Sequence, residues 1–201
     1  DYANAKEMFT KVIASRPTDF QAHVNLGMVD YMEGNKDAAL KAWEDAIALN
    51  SKDNDSKAHN NIGNVYKERK NIEGAEKYYS EAIRQSPDNP LYLNNLAEVF
   101  RLSGRLKEAR ELLEKSVALD PKSMMVHYNL GKLFQAENKT SDAVKAFKKS
   151  LSVNPGYLNA YYELSNIYYV QNKKKTAQEL MEKALAEDPK NSKYKDLYEI
   201  D

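Results

Sequence analysis

The chain has 201 residues, 42% hydrophobic and 30% charged, with Lys+Arg 30 against Asp+Glu 30. That is enough apolar material for a core and excludes a disordered polar chain. The zero net charge lacks the basic footprint that a general nucleic-acid binder needs.

Residues 1–19 read as a helix, with Ala5, Phe9 and Val12 at helical spacing before Pro17. Five units follow. The first, 20–55, carries Leu26-Gly27 in its first half and Ala39, Trp43 and Ala46 in its second. The second, 56–89, has Ile62-Gly63 and Tyr66, then Ala75, Tyr79 and Ala82, and closes on Pro87. The third, 90–123, has Leu96-Ala97 and Phe100, then Ala109, Leu113 and Ser116, and closes on Pro121. The fourth, 124–157, has Leu130-Gly131 and Phe134, then Ala143, Phe147 and Ser150, and closes on Pro155. The fifth, 158–191, has Leu164-Ser165 and Tyr168, then Ala177, Met181 and Ala184, and closes on Pro189. Residues 192–201, with Tyr194, Leu197 and Tyr198, begin one more helix, either a cap or the stub of a further unit. From Ala5 to Ala177 the recurring alanines step by 34, 36, 34, 34 and 34 residues.

The spacing predicts two helices per unit. Between them stand Gly34-Asn35, Lys70-Asn71, Gly104-Arg105, Asn138-Lys139 and Asn172-Lys173, and Gly or Asn there suits the left-handed residue that ends a helix. The Gly27-type and Ala39-type positions are small so that two helices cross closely, with the Phe9-type residue filling the space beside them. Asp88-Asn89-Pro90 places a capping residue before a proline at the first helical position. One such hairpin cannot bury its apolar face alone, so stacking of units supplies the core.

An aromatic, Leu-Gly, Tyr, Ala, Phe and Pro at a 34-residue period resembles the tetratricopeptide repeat, and the resemblance spans the whole chain. It implies an all-α solenoid of helical hairpins forming a right-handed superhelix, with five full repeats and a partial repeat at each end of a single domain, 1–201. Residues 1–19 are then the second helix of a repeat whose first helix is missing, so the chain is expected to be a fragment whose N-terminal helix is left with an uncovered apolar face. Two departures stand out. Ser51 replaces the closing proline of the first full repeat, predicting a longer loop before Asp55. Asp30 also occupies the slot held elsewhere by Tyr or Phe, which reads as local repacking.

In this family the first helices line a concave groove, and the residue before the Leu-Gly doublet faces it. Here those residues are Asn25, Asn61, Asn95 and Asn129, then Glu163. A carboxamide donates and accepts at once, so it pairs with both the N–H and the C=O of an extended peptide. The row resembles the asparagine ladder of O-linked N-acetylglucosamine transferase and kinesin light chain, although asparagine is common at this position across the family. Helical offsets add Lys57, Asn60, Asn64, Lys67 and Glu68, then Asn94, Glu98 and Arg101, then Tyr128, Lys132 and Gln135, and lastly Tyr162, Asn166 and Tyr169. The first repeat offers the apolar Val24, Met28, Tyr31 and Met32 instead.

The chaperone-tail clamp of some relatives needs Lys and Arg four apart on one first helix, and Lys57 is followed by Asn61. His23, His59 and His127 occupy equivalent positions, so they sit at least about 8–10 Å apart. That is too far to share a zinc with ligands at about 2 Å, and they read as packing residues. Asn138-Lys139-Thr140 matches a glycosylation sequon in a hairpin turn. There is no cysteine, which excludes disulfides and thiolate sites and fits a cytosolic or a periplasmic protein alike. No catalytic constellation, cofactor motif or metal site is expected.

The function expected is a non-catalytic scaffold that binds a protein or peptide in its groove, without nucleic acid or membrane insertion. The alternatives are a self-assembling scaffold joined through its ends, such as the magnetosome-associated type, and a targeting domain cut from a larger enzyme such as a glycosyltransferase.

Overall fold

A computed structural model describes residues 1–49 and 55–188, which hold eleven α-helices and no strand. The loop expected after Ser51 and the helix expected over 192–201 fall outside the described residues. The helices form two compact units, 1–104 and 105–201. The first contains α1 (Tyr2–Ser15), α2 (Phe20–Met32), α3 (Lys36–Leu49), α4 (Ser56–Glu68), α5 (Ile72–Gln85) and α6 (Pro90–Leu102). The second contains α7 (Leu106–Leu119), α8 (Met124–Ala136), α9 (Thr140–Val153), α10 (Leu158–Val170) and α11 (Lys174–Glu187). Within each unit consecutive helices pack against one another, so both are stacks of helical hairpins.

Local chemistry sets the ends of these helices. Asp19 caps α2 by accepting from the Ala22 N–H at 3.0 Å, and Asn71 caps α5 by accepting from Gly74 at 2.9 Å. Asn89 caps α6 ahead of Pro90, whose missing N–H costs nothing at a first helical position. At the turn inside every hairpin the chain adopts positive φ: Gly34 at 85°, Lys70 at 58°, Gly104 at 80°, Asn138 at 60° and Asn172 at 60°. Glycine and asparagine tolerate this geometry; Lys70 carries a Cβ against the carbonyl oxygen that disfavours it.

The small-beside-large expectation is met in atomic detail. A Cβ added to Gly27 would lie 2.5 Å from the Trp43 ring, one at Gly63 would lie 2.7 Å from Tyr79, and one at Gly131 would lie 2.4 Å from Phe147. In the fifth repeat the doublet residue is Ser165, and the large residue of that repeat is the flexible Met181 instead of a ring. Trp43 also donates from Nε1 to the Val24 carbonyl at 3.0 Å, so its polar atom is satisfied inside the core.

The unit 1 core gathers Val24, Trp43, Ala46, Ala58, Ile62 and Val65, and a core in unit 2 gathers Ala143, Phe147, Ala160, Leu164 and Ile167. Helix α1 packs on α2 but buries none of its residues. Phe9 and Val12 are half-buried, and Met8 is 67% exposed.

Candidate peptide-binding faces

In unit 1 the first helices of successive hairpins, α2, α4 and α6, lie side by side. Their equivalent asparagines differ in what is left of their hydrogen-bonding capacity. Asn25 accepts from Gln21 Nε2 at 2.9 Å on its own helix. Asn95 is buried and donates from Nδ2 to the buried Asn60 Oδ1 at 2.9 Å, which links α6 to α4. Asn61 is half-buried, and among the described residues its carboxamide forms no hydrogen bond. Asn64 accepts from the buried Tyr79 hydroxyl at 2.6 Å, tying α4 to α5. Burial pushes that phenol far above the ordinary tyrosine range, so it stays a donor.

Charged residues of the same face are mostly paired. Lys67 Nζ lies 2.7 Å from Glu98 across α4 and α6. Glu68 takes Lys36 Nζ at 2.7 Å and the Tyr31 hydroxyl. Burial, helped by the hydrogen bond to Glu68, pushes the Tyr31 pKa up to about 12. Burial alone would raise Glu68, but the hydrogen bonds from Lys36 and Tyr31 outweigh it and hold the carboxyl below its ordinary range. Arg101 is half-buried without an ion pair. The apolar Met28 and Met32 remain 41% and 55% exposed, whereas Val24 of the same set is buried in the core.

In unit 2 the face is built by α8 and α10. Glu163 is its hub: Lys132 Nζ stands 2.8 Å from Oε1, Gln135 Nε2 donates to Oε2 at 3.1 Å, and the Tyr128 hydroxyl reaches Oε1 at 3.4 Å. A buried carboxylate is tolerable only when paired and hydrogen-bonded, and three groups of α8 meet that need. Asn129 is buried, Tyr162 and Asn166 are half-buried, and Tyr169 is 44% exposed. Asn166 lines an open cleft of about 310 Å³ together with Gln135, Asn138 and Val170. The sequence places Glu163 after the four asparagines at the same position without indicating its partners; Lys132, 31 residues earlier, is one of them.

The histidines have a packing role. His23 Nε2 lies 3.0 Å from the Pro17 carbonyl and His127 Nε2 lies 2.9 Å from the Pro121 carbonyl, each pinning a first helix to the turn before it. His59 Nδ1 sits 3.2 Å from the Asp55 carbonyl.

Family models described as tetratricopeptide repeat match residues 1–59, 54–122 and 134–199, which together span nearly the whole chain. The chain belongs to the tetratricopeptide repeat family. Human tetratricopeptide repeat protein 6 is 36% identical over 69 residues, which is 34% of this chain and 13% of that protein. The Cut9–Hcn1 hetero-tetramer of the APC/C superposes with a TM-score of 0.85 at 20% identity, over 98% of this chain and 39% of that one. YrrB, a tetratricopeptide repeat protein with an unusual peptide-binding site, superposes with a TM-score of 0.65 at 22% identity, over 97% of this chain and 100% of YrrB. This chain therefore spans well under half of the first two. At these identities the two structures establish the shared fold, and that fold is a protein-interaction fold. Among the described residues no helix is long and apolar enough to cross a membrane.

Proposed function

We propose that this chain is a non-catalytic scaffold that holds an extended peptide segment of a partner protein on the first-helix faces of its repeats. The observation that carries the reading is Asn61. Its carboxamide is half-buried on α4 and forms no hydrogen bond with the chain among the described residues. A carboxamide in that state has a donor and an acceptor to offer, which matches the N–H and C=O of an extended backbone. Elsewhere on the same face Lys67 and Glu98 neutralise one another. YrrB, similar in fold, has an unusual peptide-binding site, which supports the reading by analogy.

The test is selection of a phage-displayed random peptide library on the immobilised chain, followed by fluorescence anisotropy of the winning peptides. Asn61→Ala is expected to weaken them roughly 2- to 12-fold, the worth of one amide pair at about 0.5–1.5 kcal/mol. Far-UV circular dichroism of the variant should match the parent. Unchanged affinity in a folded variant removes Asn61 from the site.

A further inference from the structure

Arg101 and Lys67 hold the same position in successive repeats, 34 residues apart, on the face formed by α4 and α6. Their surroundings differ. Lys67 is neutralised by Glu98 at 2.7 Å. Arg101 makes no hydrogen bond or ion pair among the described residues, and its Nε is buried without a partner. Its terminal guanidinium nitrogens, also without a partner among the described residues, keep access to solvent. Glu98 is one helical turn away on α6, but its carboxylate is held by Lys67. The equivalent half-buried cation of this face, Lys67, is paired with Glu98, while Lys57 is exposed.

A guanidinium that is partly desolvated and unpaired is costly, and the cost is recovered when an anion reaches it. Its open side is a planar fork, which matches a carboxylate with two parallel hydrogen bonds. The surroundings favour a single negative charge. A phosphate carries nearly two and calls for a second cation, and the nearest equivalent one is already neutralised by Glu98.

We infer that Arg101 is the anchor for one Asp or Glu side chain of the bound peptide, so that the partner is an extended segment with an acidic residue at a fixed register. The inference rests on the peptide-binding reading above and adds the chemistry that gives it specificity. It uses a cation at the C-terminal end of a first helix, where the negative end of the helix dipole already favours a positive side chain.

The test uses the full chain and the same random 12-residue library, selected in parallel on the parent and on Arg101→Glu. The parent is expected to enrich Asp or Glu at one register, and the charge-reversed variant to enrich Lys or Arg there. For a winning peptide, its Glu→Gln version should bind the parent roughly tenfold more weakly, the scale of a charge-assisted pair. The same change should make little difference on Arg101→Gln. Arg101→Lys, which keeps the charge and loses the fork, should retain the acidic preference with reduced affinity, and it serves if Arg101→Gln fails to fold. Winning peptides with no acidic preference, or equal losses on the parent and Arg101→Gln, overturn this inference and leave the peptide-binding reading standing. A library that yields no binder to the parent overturns both.

Discussion

Lys6 Nζ on α1 lies 2.5 Å from Asp30 Oδ1 on α2, and Asp30 is 3% exposed. This pair fills a place that an aromatic contact fills elsewhere. In unit 2 the equivalent residues are Arg110 and Phe134, with the guanidinium carbon 5.2 Å from the ring centroid. The second partner is also shared: Lys6 reaches Glu33 at 3.4 Å, and Arg110 pairs with Glu137. A cation following the recurring alanine thus takes either a ring or a carboxylate as neighbour, and Asp30 replaces the face of a ring with a formal charge. Lys6→Met should lower the melting temperature by leaving the Asp30 carboxylate buried without its cation. Adding Asp30→Phe should restore part of the loss. A double variant no more stable than Lys6→Met, followed by thermal circular dichroism, would show that the slot does not accept a ring in this repeat.

Gly131→Ala should destabilise unit 2. The added Cβ falls 2.4 Å from the Phe147 ring, closer than any real contact, and the ring is fully buried with little room to yield. Overpacking of this kind costs about 1–3 kcal/mol. Phe147→Leu in the same chain should recover part of that, because Leu leaves space where the ring edge was. The readout is the urea midpoint of the two single variants and the double.

Lys70→Gly should stabilise the α4–α5 turn. Lys70 sits at φ 58°. The left-handed penalty of about 1–2 kcal/mol outweighs the extra chain entropy of glycine, about 0.5–1 kcal/mol, leaving a gain of up to about 1.5 kcal/mol. Gly104 at φ 80° supplies the control: Gly104→Ala should destabilise although open space surrounds its Cβ position. Equal midpoints for both variants and the parent would mean that these turns carry no strain.

Stability should fall on both sides of neutral pH. Burial by itself raises Glu68 and Glu137, yet Lys36 and Tyr31 in one case and Arg110 and Lys139 in the other hold both carboxyls below their ordinary 4.5. A lowered folded pKa gives stability that is present above the unfolded value and lost as pH falls through the folded one. Tyr31 runs the other way. Its pKa, lifted from 10.0 to about 12, gives stability that is present below 10.0 and lost as pH rises through 12. Urea midpoints measured against pH should therefore drop below 4.5 and again above 10.0. Glu137→Gln should flatten the acid limb, and Tyr31→Phe should flatten part of the alkaline one.

The sequence by itself determined the repeat, its helices and its turns. Those features depend on neighbours a fixed distance away, and the same requirement is written five times over. Gly63 beside Tyr79 and the left-handed Asn138 follow from the period and from sterics alone. Even Asp30, which departs from the pattern, keeps its cation at the position where Arg110 stands three repeats later. What only the tertiary structure decided is which groove residues remain free to bind. Asn61 and Asn95 are indistinguishable in the pattern, yet Asn95 is occupied by Asn60 of the preceding repeat. Lys67 and Arg101 share a position, yet only Lys67 meets a carboxylate. A side chain's availability depends on a partner on another helix, at a distance and angle that composition and periodicity do not encode. Burial then decides whether a group left without such a partner is hydrated or waiting for a ligand.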